Sequence, residues 1–203
     1  MIGTLNDPAT AERVARLATV TGAVAIAADA TILAFFAVGE PWGTINDAAY
    51  AALGILAGTV AWRLRAYGGT TATGAAIAGG AIAAVGSSLV ISHTTGWLLA
   101  GFVGALGYGL IGPSVVTASA AMLKDGLVPP GLGRLGRAAG LFMAVGLTAA
   151  IPVAMRMDDP ATTPVWAWLT MAGFVGPAIL YPAWAFWLAR VLGRRSEIAP
   201  AGA

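Results

Sequence analysis

Six apolar stretches, at approximately 17–38, 48–62, 71–92, 97–123, 139–155 and 164–189, follow one another along a chain of 203 residues with only short links between them. A helix needs about 20 mostly apolar residues to cross a bilayer. In hydrocarbon a backbone must also satisfy its own N–H and C=O groups, which a helix does within one segment. The chain is therefore expected to be all-α, a single membrane domain over residues 1–203 built as a bundle of six transmembrane helices. Composition points the same way. Hydrophobic residues make up 58% of the chain and charged residues 10%, against about 25% charged in soluble domains. The second and fifth stretches are short and rely on small residues, so their ends are the least defined. The first stretch is too long for a signal-peptide core and lacks an A-x-A cleavage site, so it reads as a helix.

The cations orient the bundle. Arg13 and Arg16 precede the first stretch, and Arg63 and Arg65 follow the second. Lys124, Arg134 and Arg137 follow the fourth, and Arg190, Arg194 and Arg195 follow the sixth. With six spans these ten lie on one face and only Arg156 on the other. The positive-inside rule then places both termini in the cytoplasm of a multi-pass cell-membrane protein. Glu40, Asp47, Asp158 and Asp159 fall on the outer side.

Several chemistries are excluded. There are 0 cysteines, hence no disulfide, thiolate metal site or Cys nucleophile. A single histidine rules out multi-His metal sites. No nucleotide loop is visible, and the basic residues sit where membrane orientation explains them, so no nucleic-acid partner is expected. Neither a cofactor nor a metal is implied.

Small and aromatic residues suggest how the bundle packs. Gly101, Ala105 and Gly109 recur every four residues and should let another backbone come close. Gly104, Tyr108 and Gly112 form the neighbouring face, where one large residue stands between two gaps. Close helix packing is the simpler expectation; a cavity into which Tyr108 projects is the functional one. Pro177 and Pro182 bracket Tyr181 and should loosen the last helix. Trp42, Trp97, Trp166 and Trp168 near one boundary, and Trp62, Trp184 and Trp187 near the other, read as headgroup belts, with Trp42 the candidate exception.

Asp29 is the candidate functional residue that stands out, because a carboxylate deep in an apolar stretch is costly and normally faces a partner, water or a ligand. No Lys or Arg lies within any span, so its partner is expected among Ser87, Ser88, Tyr108, Thr148 and Tyr181. Glu40 lies eleven residues on, close to a whole number of turns, and Phe36 lies seven on. All three are expected on one face of the first helix. The segment Gly39-Glu40-Pro41-Trp42-Gly43-Thr44-Ile45-Asn46-Asp47 reads as a rigid outer loop, with Asn46 or Asp47 capping the second helix. It is expected to cover a pocket. Asp29, Glu40 and Asp47 are the catalytic candidates, and Phe36, Trp42, Tyr108 and Tyr181 the substrate-binding ones.

The Glu40–Asp47 stretch, the Trp62-Arg63-Leu64-Arg65 sequence closing the second helix and Tyr181-Pro182-Ala183-Trp184 in the last one resemble small six-helix integral membrane proteins of actinobacteria. That resemblance implies fold and location alone. In size and architecture the chain is also similar to small membrane-embedded terpene cyclases, which protonate an isoprenoid with intramembrane acids, although no motif matches them.

Together these readings lead to an intramembrane acid–base enzyme acting on a lipid or isoprenoid, through protonation-initiated cyclisation. The alternatives are a small proton- or cation-coupled transporter or channel, and a structural or regulatory membrane subunit. Membrane lipid is the expected surround, and a second copy or another membrane protein the alternative partner.

Overall fold

The computed structural model describes residues 5–198, the side chains of 196–198 excepted. The extreme termini, whose sidedness the arginines predict, lie outside the described residues. The described chain is helical and contains no strand. Five helices are long and apolar enough to cross a membrane: Pro8–Val38, Thr70–Ile91, Trp97–Lys124, Pro130–Ala154 and Val165–Arg195.

Helix α1 runs from Pro8 to Val38, starting well before the apolar stretch it contains. Asp7 caps it by accepting from the amides of Ala9 and Thr10. The Thr10 hydroxyl bonds the same carboxyl and is the main reason that it is held below its usual range. Gly39 closes α1 with φ +81°, a left-handed conformation that favours glycine, and its N–H returns to Phe35 O at 2.8 Å. Helix α2 (Trp42–Arg63) follows at once, then the short α3 (Arg65–Gly68), α4 (Thr70–Ile91) and α5 (Trp97–Lys124). The next rod is α6 (Pro130–Val145), a 3₁₀ segment at Gly146–Ala149 and α7 (Ala150–Ala154). The last comprises α8 (Val165–Trp168), a 3₁₀ segment at Leu169–Phe174, a π-helical turn at Gly176–Leu180 and α9 (Tyr181–Ile198). The irregular turn holds Pro177, as the two-proline pattern predicts.

Consecutive rods are neighbours. α1 packs on α2, α2 on α4, α4 on α5 and α5 on α6, while α9 packs on both α6 and α1 and so closes the ring. α5 is the most enclosed of the five long apolar helices. Its glycines explain this. A Cβ at Gly107 would strike the backbone of Ala83 and Gly79, and one at Gly112 would strike Gly140 O and the backbone of Ala144. Helices approach this closely where small residues let backbones touch, which is the main source of packing energy available in lipid.

Several expectations need correction. The outer "loop" is only the link 39–41, because residues 42–47 already form the first turns of α2. Neither Asn46 nor Asp47 caps that helix. The Glu40 carboxylate does so instead, accepting from Thr44 N at 3.3 Å and Thr44 Oγ1 at 3.2 Å. Since α1 ends at Val38, the helical spacing that aligned Glu40 with Asp29 does not apply. On the other side of the bundle, the helix that carries the fifth apolar stretch begins at Pro130, ahead of the expected 139. Trp184 is no belt residue: it is 1% exposed, inside the core, with its ring 5.3 Å from that of Tyr181.

Gly107→Ala is expected to force α4 and α5 apart and to cost about 1–3 kcal/mol. Gly104→Ala, whose added Cβ meets nothing within 4 Å, should be close to neutral. Thermal unfolding of the two variants in detergent compares them directly, and equal melting temperatures would contradict the backbone contact.

Candidate functional site

Two side chains on one face of α2 stitch it to α1. Asn46 is 6% exposed and donates from Nδ2 to Ala28 O at 2.7 Å. One turn further, the Tyr50 hydroxyl donates to Asp29 Oδ1 at 3.0 Å. The Tyr108 hydroxyl of α5 donates in turn to Tyr50 O at 2.7 Å. Asp29 therefore faces the bundle rather than lipid, and its partner is Tyr50, a residue absent from the expected set. Tyr108 belongs to the same network one step removed.

Above this network lies a cavity of about 660 Å³. Ile32, Phe35 and Phe36 of α1 form one wall, and Ala83, Gly86, Ser87 and Val90 of α4 another. Trp97, Gly101, Gly104 and Tyr108 of α5 supply the back. Met171 and Phe174 close the side beneath α8. Trp97 and Tyr108 are eleven residues apart, so the cavity descends roughly 16 Å along α5. On the α5 side the space is left by glycines, because Gly104 packs its backbone on Gly86 but neither it nor Gly101 carries a side chain to fill the volume beside it. A Cβ at Gly104 would touch nothing, and one at Gly101 would reach only the Met171 methyl at 3.7 Å.

Three rings make the floor. Tyr50 and Tyr108 have centroids 6.1 Å apart, Tyr50 and Phe174 6.1 Å, and Tyr108 and Phe174 6.2 Å. All three pairs are edge-to-face, the arrangement that ring quadrupoles favour. At the mouth stand Glu40, committed to capping α2, and Asp47, half-buried on the cavity wall. Among the described residues Asp47 has neither a hydrogen-bond nor an ion-pair partner, and no cation lines the cavity. The side between α1 and the last rod is loosely closed. α1 packs along α9 but only lightly on Gly176–Leu180, and Phe36, although part of the wall, is 77% exposed.

The structure thus brings Glu40, Asp47, Phe36 and Tyr108 to one cavity. Asp29 lies behind Tyr50, outside the lining. Trp42 is 38% exposed and does not line the cavity; Trp97, assigned by sequence to the belt, does. Tyr181 is 1% exposed in the core beside Trp184, apart from the cavity. Helical periodicity does not single out Tyr50, yet the α1–α2 hairpin carries the signal. Asp29 and Tyr50 lie eleven and ten residues from Glu40, so an antiparallel hairpin folded there sets them side by side. No protein-family model, curated protein or solved structure matches this chain.

Removing the Tyr50 hydroxyl leaves a half-buried carboxyl without its donor, whereas Asn at position 29 can still accept that bond. Tyr50→Phe is therefore expected to lower stability by about 1 kcal/mol or more, and Asp29→Asn by less. Denaturation in detergent tests the order; a Tyr50→Phe protein as stable as wild type would show that the bond contributes nothing.

Proposed function

We propose that the chain is a six-span protein of the cell membrane with cytoplasmic termini, and that its cavity carries out acid–base chemistry on a lipid or isoprenoid. The observation that carries this reading is an apolar, aromatic-floored cavity with an unpartnered carboxyl group, that of Asp47, on its wall. α2 supplies the sixth span. It is 22 residues long, as is α4 beside it, and about 33 Å of helix exceeds the hydrocarbon thickness. With the arginine-rich ends in the cytoplasm, the cavity opens in the outer leaflet, and the gap beside Phe36 gives a lipid lateral access.

The roles follow from position. Asp47 touches the cavity and is the proton donor and acceptor. Glu40 is a second carboxylate beside it. Asp29 is a positioning residue that acts through Tyr50. In a protonation-initiated cyclisation or isomerisation, Asp47 transfers its proton to an alkene carbon and becomes a carboxylate, while the substrate becomes a carbocation. The π faces of Tyr50, Tyr108 and Phe174 stabilise that positive charge as they do other cations. Loss of a proton from a neighbouring carbon to Asp47 forms the product alkene and restores the acid. The transport reading is less well supported, because large side chains fill the core below the rings, among them Ile111, Met143, Leu188 and Trp184, each 1% exposed or less.

Two measurements test these statements. Since the chain has no cysteine, single cysteines at Thr44, in the first turn of α2, and at Ala66, just beyond its last residue, can be labelled cleanly in intact cells. They are expected on opposite membrane faces; labelling from one face would remove α2 as a span. Protein in nanodiscs, incubated in D₂O with polyprenyl lipids, is expected to introduce carbon-bound deuterium that mass spectrometry detects. Asp47→Asn should slow this incorporation by roughly 10²-fold or more. Incorporation that is absent, or unchanged in well-folded Asp47→Asn, would overturn the enzymatic reading.

A further inference from the structure

The inner half of α9 carries a second concavity, remote from the first and unused by the chemistry above. It encloses about 510 Å³ and is lined by Ala183, Phe186, Trp187, Arg190, Val191 and Arg194. These residues follow one another at helical spacing and form one face. The opposite face, with Tyr181, Trp184, Leu188 and Leu192, is buried in the core. Phe186 lies over Gly22 of α1 and Trp187 over Gly131 of α6, so the neighbouring helices flank the groove.

The groove is chemically divided along its length. Its upper part is apolar, yet Phe186 and Trp187 are 39% and 41% exposed. Its lower end holds Arg190 and Arg194, one turn apart, and neither has a hydrogen bond or ion pair among the described residues. Like charges at this spacing repel one another, and an anion placed between them removes that repulsion. Guanidinium groups suit phosphate because their paired N–H donors match its oxygens.

We propose that this groove binds one anionic phospholipid, with its phosphate between Arg190 and Arg194 and an acyl chain along Phe186, Trp187 and Val191. Free phosphate would satisfy the arginines but leave the apolar half uncovered, whereas a phospholipid complements both ends. The site is independent of the cavity, and its occupancy does not depend on the proposed enzymatic reading.

Native mass spectrometry of delipidated protein in maltoside micelles tests the assignment, with dioleoylphosphatidylglycerol as the probe. Wild type should retain one such lipid at concentrations where dioleoylphosphatidylcholine is lost. Arg190→Gln/Arg194→Gln should weaken retention by about tenfold or more, as expected when charge-assisted phosphate contacts are removed. Both arginines are exposed, so this variant should keep the wild-type melting temperature. Arg63→Gln/Arg134→Gln removes the same charge elsewhere on the arginine-rich face and should change retention less than twofold. Equal losses in the two double variants would reduce the effect to general surface charge and overturn the proposal. Equal retention of phosphatidylcholine, or full displacement of the lipid by millimolar inorganic phosphate, would overturn it too.

Discussion

Hydrocarbon gives helices no hydrophobic reason to associate, so their contact has to come from van der Waals packing, and in this chain that packing is set where α5 meets α4 and α6 backbone to backbone. Gly79 against Gly107, and Gly112 against Gly140, admit no side chain between the main chains. The same helix continues outward with Gly104 and Gly101, whose own missing side chains leave open space, although Gly86 of α4 still lies against the backbone of Gly104 and Ala100. Glycine that permits contact at one level leaves empty volume at the next. The cavity is thus a by-product of the packing rule, converted into a site by the polar and aromatic residues that α1, α2 and the last rod place around it.

The link between α1 and α2 works on a different principle. Asn46 and Tyr50 bond Ala28 and Asp29 across the helix pair. Polar bonds of this kind are of modest strength in membranes, but an unmatched donor or carboxyl in the same place would be expensive. The pair is held in one register because sliding by a turn would separate both bonds at once. Tyr50 joins the two functions of the network, with its hydroxyl turned to Asp29 and its ring facing the cavity.

Much of this was legible in the residues. Apolar length located the five long helices, and the small-residue spacing on α5 marked Ala105 and Gly109 as packing positions and Gly104 as a gap, but Gly101 of the expected packing row borders the cavity and Gly112 of the expected gaps lies against α6. Pro177 marked the irregular last rod. The misreadings have a common physical cause. Gly, Pro, Asn and Asp between residues 39 and 47 are turn formers locally, yet α1 holds α2 in contact from its first turns, so helix begins at Trp42. Trp184 carries a polar N–H suited to an interface, but helical phase directs it inward beside Tyr181. Asp29 announced a site without revealing its partner, because periodicity describes one helix at a time and Tyr50 lies on the next.

If a lipid enters beside Phe36, as proposed, the exposure of that wall also changes how selectivity must be understood. A molecule that slides in from the bilayer leaves one apolar medium for another, so burying its hydrocarbon contributes little net free energy. Its concentration is a mole fraction in two dimensions, and an abundant lipid competes with every rarer one. Discrimination then falls to the few groups that differ from lipid tails: the carboxylates of Glu40 and Asp47, the Ser87 hydroxyl and the three rings at the floor. On the proposed reading, such a site would recognise a head or a double bond and treat the rest of the chain as solvent.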